Sequence, residues 1–355
     1  MANSMILLSC TILSLWIAEA RSPYAANSSS KKRQVVEEKQ NSDDYQIRKA
    51  ETKCEEYVQY GCLYQKSFDE KYNDKDQILN GENVPEGMLP HMALLIIKNK
   101  TSTIWTRCSG SLISERYVMS VRHCLESLDL EIKIKLGSIY RTNDGTGKWY
   151  DVESIHRYPE LITKHFVNDI ALLKLSEEVH FNPHVIPICL NTKYKGDYER
   201  TIASGWGFTE DGRAPERLKM AELALKGEAL ELKCHQYIKG TKKYADIYKI
   251  QTICAGGIDT QKDTCKGDSG GPLQVPLESG CPNTYEQIGI TSFGGGNCTI
   301  GPTQPYIGIY AKVEYFLPWI ASIVWPDDES NYVHREDAPT NSTEQLCVIS
   351  NDTQS

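Results

Sequence analysis

Residues 263–273 read Asp-Thr-Cys-Lys-Gly-Asp-Ser-Gly-Gly-Pro-Leu. The core of this run sets Ser269 between Asp268 and the glycines at 270 and 271. Glycines lack a Cβ, so the backbone here can turn tightly and approach a ligand closely. A serine hydroxyl is a poor nucleophile at neutral pH until a base takes its proton. Ser269 therefore requires a histidine, and a carboxylate to orient it. Working outward, His123 stands in SVRHC at 120–124 and Asp169 in NDIALLKL at 168–175. The order along the chain is His, Asp, Ser, with long separations. That is expected when a fold, rather than a local motif, assembles nucleophile, base and orienting group. One of eight histidines carries little weight alone. A structural turn, however, would need the glycines of 267–271 and not the whole string.

Short β-like runs fill residues 78–325 between Gly, Asn, Asp and Pro. They include HMALLII at 91–97, EIKIKLG at 131–137, IALLKL at 170–175, TIASGWG at 201–207 and YEQIGITSF at 285–293. Many short strands with no βαβ rhythm predict an all-β fold, a sandwich or a pair of barrels. The length of this region suits two packed barrels sharing one cleft. A helix is predicted over 313–324, where Tyr315, Phe316, Trp319, Ile320 and Ile323 recur at helical spacing.

The ends read differently. Residues 5–18 are apolar and lead to Ala18-Glu19-Ala20, the pattern of a secretory signal peptide over 1–20. That stretch is too short to anchor the chain in a membrane, and no other segment approaches the length. Residues 21–77 form a pro-segment: 21–50 are polar, with a serine run and KKR, and read as flexible. The stretch 51–77 is charged and Tyr-rich and carries Cys54 and Cys62. Residues 326–355 read as an acidic, disordered tail. Twelve cysteines fit a secreted protein, and Cys10 leaves with the signal. Sequons at Asn27, Asn99, Asn297, Asn341 and Asn351 are compatible with glycosylation, Asn297 least so because Cys298 lies inside it. A net charge of −8 and a pI near 5.6 give no reason to expect nucleic acid or an anionic membrane as partner. No motif implies a metal or a cofactor.

With these motifs in place, residues 78–325 resemble the chymotrypsin/trypsin-like serine proteases. The runs KCEEY at 53–57 and NTYEQIGITSFG at 283–294 are similar to arthropod clip-domain proteases of the snake type. The six-cysteine clip module has no counterpart, because residues 21–77 hold only Cys54 and Cys62. The resemblance implies two packed six-stranded antiparallel Greek-key barrels with a C-terminal helix. It implies that His123 is the general base, Asp169 its orienting partner and Ser269 the nucleophile. The N–H groups of Gly267 and Ser269 would form the oxyanion hole. Ser292 would lie beside the carboxylate, and Ser292-Phe293-Gly294 would hold the substrate backbone, with Phe293 where tryptophan is usual. Asp263 would floor the primary pocket and select Arg or Lys, with Gly294 and Gly308 as its wall. Lys266, at the rim, would favour acidic residues on the leaving-group side.

The same resemblance implies the bridges Cys108–Cys124, Cys234–Cys254 and Cys265–Cys298. Cys189 would tie to Cys54 or Cys62, and Cys281 would take the other, so the pro-segment would stay attached after activation; Cys347 is left over. Asp268 would pair with the new ammonium terminus at Ile78, made by cutting after Gln77. That makes the chain a zymogen, since a buried carboxylate without its cation is destabilising. An α-amino group has a reference pKa of about 7.7–8.0, so activity should fade at alkaline pH.

Three departures from the family stand out. A trypsin-like pocket should not cut after the glutamine at the activation bond, so self-activation there is not expected. Another protease could cut there, cleavage after Lys75 could be followed by trimming, or the chain could never be activated. Val121 and Arg122 replace the usual alanines before the base, and a large cation there could disturb the packing around His123. Ser109 stands where glycine is common. The expected function is a secreted serine endopeptidase cutting after Arg or Lys in an extracellular cascade. Its expected partners are such substrates, an upstream activating protease and serpin-type inhibitors. The alternative is a weakly active or non-catalytic protease-like binding or cofactor protein.

Overall fold

The computed structural model describes residues 23–64, 82–142, 145–159, 167–198, 200–209, 212–225, 234, 245–256, 264–279, 281–294 and 307–327. The expectations for the signal peptide, Gln77, Ile78, Asp263, Cys298, Asn297, Asn341, Cys347, Asn351 and positions 328–355 lie outside these residues.

After the short strand β1 (Glu82–Asn83), six strands close a barrel: β2 (Met92–Asn99), β3 (Trp105–Leu112), β4 (Tyr117–Ser120), β5 (Leu130–Leu136), β6 (Lys148–Arg157) and β7 (Ala171–Leu175). Their order is β2-β3-β4-β7-β6-β5, and every pairing is antiparallel. β2 shows why these sequences are apolar on both faces. Ala93, Leu95 and Ile97 point into the barrel interior, whereas Met92 and Leu94 join the core outside it. Side chains alternate along a strand, so a strand buried on both sides reads as a continuous apolar run.

The second half contains β8 (Cys189–Leu190), β9 (Thr201–Gly205), β10 (Lys219–Leu223), β11 (Thr252–Ala255), β12 (Pro272–Pro276), β13 (Tyr285–Gly294) and β14 (Gly308–Lys312). Six of them follow the path β10-β9-β12-β13-β14-β11; β1 adds to the β10 edge and β8 pairs with β13 in parallel. Among the described residues this sheet is a half-barrel rather than a closed one. Its interior is Ala203, Leu223, Ile253, Leu273, Ile288 and Tyr310. Buried polar contacts cross between the halves: His91 Nε2 meets Gln274 Oε1 at 2.6 Å, and Ser111 Oγ donates to Gln287 Oε1 at 2.6 Å. Burial pushes the His91 imidazole down to about 3, so it stays neutral as a hydrogen-bonding group.

Three helices complete the described structure. The expectation of flexibility over 21–50 gives way to α1 (Pro23–Tyr64), and α2 (Ala245–Gln251) precedes β11. The third, α3 (Val313–Val324), occupies the span predicted from spacing and buries Phe316, Leu317 and Ile320. Residues 31–60 contain no glycine and are rich in Lys, Arg, Glu and Gln, which favour helix. Gln46, Ala50, Tyr57 and Gly61 are buried, while Cys54 and Tyr64 are half-buried. Their spacing is that of one helical face. The chain divides at Tyr45 into two compact units, and the contacts that follow belong to the second. Cys54 is bonded to Cys189 and Cys62 to Cys281. Tyr57 and Tyr60 set their rings edge-on to Phe181, at 5.9 and 5.1 Å. Lys49 Nζ donates to Trp325 O at 2.8 Å and pairs with Asp327 at 2.5 Å. No described helix is long and apolar enough to cross a membrane.

Candidate active site

Each of the three sequence-predicted residues is placed by its own device. His123 lies in a short 3-10 turn, Arg122–Leu125, fastened to β3 by the Cys108–Cys124 disulfide. Asp169 comes two residues before β7 and is fully buried. Ser269 is held by its backbone: its carbonyl accepts from Ser109 N at 2.8 Å, and the next N–H, of Gly270, donates to Thr291 O at 2.8 Å. Gly270 has φ 87°, and a Cβ there would collide with Ser120 Oγ and Ser109 O. Only glycine suits that position.

The imidazole and the carboxylate meet in two hydrogen bonds. His123 Nδ1 lies 2.7 Å from Asp169 Oδ2, and His123 N donates to Asp169 Oδ1 at 2.8 Å. The second bond fixes the carboxylate against the backbone that carries the ring, so ring and acid are registered together. Ser292 Oγ donates to Asp169 Oδ2 at 2.5 Å. The ladder between β13 and β14 shifts between Thr291 and Phe293, which makes Ser292 the extra residue of a bulge. A bulge re-aims a side chain, and here the bulged residue is the one that meets the acid. On another side of Asp169 stands Tyr248 of α2; burial, and then the charge of Asp169, push its phenol above the ordinary range.

Around Ser269 the remaining predicted residues fall as follows. Gly267 has φ 105°, and its carbonyl lies 3.4 Å from Ser109 Oγ. The hydroxyl that departs from the usual glycine is thus accommodated beside the loop that carries Ser269. Ser109 is fully buried, and its own carbonyl accepts from Ser120 Oγ at 2.8 Å. Asp268 tucks its carboxylate beneath Gly205 and Gly207, where any Cβ would strike it. The carboxylate accepts from Gly207 N at 2.7 Å and from Cys265 N at 2.8 Å. Burial pushes its carboxyl up to about 6, and those two donors pull the other way. Gly294 pairs with Gly308 across the β13–β14 ladder, and Phe293 with Ile309. Thr264, which follows Asp263, lies 3.3 Å from Tyr310 Oη. Cys265 is disulfide-bonded, and Cys234 bonds to Cys254.

Arg122 engages its guanidinium elsewhere than the imidazole. It donates to Tyr158 O and pairs with Glu126, Nε to Oε1 at 3.4 Å. Val121 is fully buried within the core shared by the two halves. Sequence reasoning did not find Gln251 and Tyr248, because they belong to α2, which carries no motif.

Comparison with known proteins shows the family. The sequence profile described as Trypsin matches residues 78–320. The proclotting enzyme of Tachypleus tridentatus is 31% identical over 261 residues, covering 69% of this chain and 65% of that relative. The phenoloxidase-activating factor 3 of Holotrichia diomphalia is 34% identical, covering 70% of this chain and 72% of the relative. The serine protease snk of Drosophila melanogaster is 31% identical, covering 70% and 57%. The chain thus spans about two thirds of the proclotting enzyme's length and less of snk's. With a profile match across more than half of its residues, this chain belongs to the trypsin family of serine endopeptidases.

Proposed function

We propose that this chain is the zymogen of a secreted endopeptidase that hydrolyses peptide bonds after Arg or Lys, with His123, Asp169 and Ser269 as the catalytic groups. The observation that carries the reading is the His123–Asp169 pair, joined through both ring and backbone nitrogen. Nδ1 meets the carboxylate, so Nε2 would be the nitrogen that accepts a proton from Ser269. Ser269 Oγ then attacks the scissile carbonyl carbon, and the carbonyl oxygen becomes an oxyanion facing the N–H groups of Gly267 and Ser269. The imidazolium gives its proton to the leaving amine as the C–N bond breaks. Water, deprotonated by the same imidazole, releases the acyl group from Ser269. Asp263 at the pocket floor would supply the counter-charge for the substrate's cation.

Asp268 and Ile78 would form the switch. The enclosed carboxylate of Asp268 has two backbone donors and no cation among the described residues, a state that a new ammonium terminus would relieve. Relatives named for clotting and for phenoloxidase activation support a place in an extracellular cascade. An upstream protease would cut before Ile78, and a serpin-type inhibitor would end the reaction.

The experiment exploits residues 73–77, Asn-Asp-Lys-Asp-Gln. Asn73→Asp, Lys75→Asp and Gln77→Lys together convert them into an enteropeptidase site, so the full disulfide-bonded chain can be cut before Ile78 on demand. The cut protein should turn over Arg and Lys esters, leave Phe esters intact and be labelled at Ser269 by an organophosphate. Absence of both turnover and label would leave the non-catalytic reading. Cleavage of Phe esters alone would remove the role given to Asp263. Ser269→Ala should abolish turnover with the melting midpoint unchanged.

A further inference from the structure

Two consecutive backbone carbonyls accept hydrogen bonds from the side chains that stand immediately before the base and the acid. Arg122, next to His123, donates through Nη1 to Tyr158 O. Asn168, next to Asp169, donates through Nδ2 to Pro159 O at 3.3 Å. The segment that carries those carbonyls is itself fixed. Tyr158 N donates to Ile170 O at 3.1 Å, just past Asp169. Arg157 Nε donates to Leu125 O at 2.7 Å, at the end of the turn that holds His123. The Tyr158 ring stands edge-on to Phe316 and Trp319 of α3, at 5.0 and 5.1 Å. Tyr158 and Pro159 thus act as a strap to which both catalytic loops are fastened.

The second barrel closes the arrangement. Gln251, almost completely buried at the end of α2, donates through Nε2 to Asn168 Oδ1 at 2.8 Å. Asn168 has φ 63°, a left-handed conformation that a side-chain-bearing residue adopts at a cost and keeps only where its surroundings over-determine it. Here the amide is held at both ends, by Pro159 O and by Gln251, and the turn it stabilises delivers Asp169 to His123. Arg122 suits its part because a guanidinium offers rigid, forked donors that never lose their proton. Its guanidinium, which from sequence alone threatened the packing of His123, binds the histidine turn to the strap instead.

We propose that Arg122, Asn168 and Gln251 are positioning residues that set the geometry of the His123–Asp169 pair by closing on the Tyr158–Pro159 strap. None of the three is among the groups proposed above to act on the substrate. This rests on the catalytic roles proposed above for His123 and Asp169. Base and acid must be held to within about 0.5 Å for the chemistry to proceed. A misplacement of about 1 Å, even one caused far from the reacting atoms, costs about a hundredfold in rate.

The test uses the full chain with the enteropeptidase site, cut before Ile78, in four versions: Arg122→Ala, Arg122→Lys, Asn168→Gly and Gln251→Leu. Asn168→Gly keeps the left-handed backbone available and removes the side-chain bonds to Pro159 and Gln251. Three readouts are taken beside the melting midpoint: kcat and KM on an Arg ester, titration of reactive Ser269 by organophosphate, and the downfield 1H resonance of the short Nδ1–H···O bond. The expected result for Arg122→Ala and Asn168→Gly is a fall in kcat of about tenfold or more, with KM and the titratable fraction unchanged. The downfield proton should broaden and move upfield, and Arg122→Lys should restore part of both. An unaltered kcat and resonance in Arg122→Ala and Asn168→Gly would overturn the proposal. The resonance is read on the same protein whether or not it turns over, so loss of the catalytic reading and loss of the clamp give different results. Should Arg122→Ala not fold, Asn168→Gly and Gln251→Leu are read in the same way.

Discussion

Asp268 is a carboxylate enclosed by backbone, with a pKa raised to about 6 by burial against an ordinary value of 3.8. A raised acid stabilises the uncut chain most below its unfolded pKa, and that contribution disappears as pH climbs through about 6. The shift is about two units, so the effect is at most about 3 kcal/mol. Asp268→Asn should therefore raise the melting midpoint of the uncut chain at pH 7.5 and leave it unchanged at pH 4, as scanning calorimetry of both proteins would reveal. Equal shifts at the two pH values would contradict the enclosed-charge account. His91 works in the opposite direction, since its lowered pKa withdraws stability as pH falls below about 6.5. Comparing the variant with the parent at each pH cancels that contribution. In the cut protein the same substitution would remove the partner proposed for Ile78, and turnover should be lost.

At the scale of elements, α1 rests on a narrow stripe. Tyr57 is almost fully buried and meets Phe181 edge-on. Tyr57→Ala should cost about 3 kcal/mol through the cavity and lost ring contact. Combined with Phe181→Ala, it should show a coupling of about 1 kcal/mol in a double-mutant cycle measured by denaturant unfolding. Additive losses would mean that the rings only share a surface. This helix also marks the limit of what the sequence discloses. Residues 313–324 announce themselves because Phe316, Ile320 and Ile323 are strongly apolar at helical spacing. The buried face of α1 is Gln46, Ala50, Cys54, Tyr57 and Gly61, too weakly apolar to stand out, and its packing surface lies far away in sequence. The strands were readable where both faces are buried, as in β2 and β7. The bulge at Ser292 was not, because two residues against one is a property of the pairing and not of either strand. His123 and Ser269 were legible because their local strings are chemically loaded. Gln251 and Tyr248 were hidden because their role depends only on what α2 is folded against.

For the whole molecule, the covalent links decide what cutting can release. Cys54–Cys189 and Cys62–Cys281 both join the segment before Ile78, where the proposed cut falls, to the region after it. The cut chain should run as one band without reductant and as two with it. Replacing Cys54 and Cys189 by serine should leave the fragments joined through Cys62. Release without reductant should require loss of both bridges, and release from the single-bridge protein would mean that Cys62–Cys281 does not form in solution. The contacts His91–Gln274 and Ser111–Gln287 join the two halves. His123 and Asp169 come from the first barrel, while the loop of Ser269 and Ser292 come from the second.

The short strand β1 sets a further condition. Glu82 and Asn83 are paired with Met220 and Lys219, and Val84 N donates to Leu218 O at 2.9 Å. A cut before Ile78 leaves four residues between the new end and Glu82, a leash of about 14 Å at full extension. An ammonium group confined to so small a volume behaves as its own ligand at millimolar concentration or above. Activation would then be a search by a tethered end rather than an encounter. A free peptide of the same sequence added to the solution would have to match that local concentration to compete.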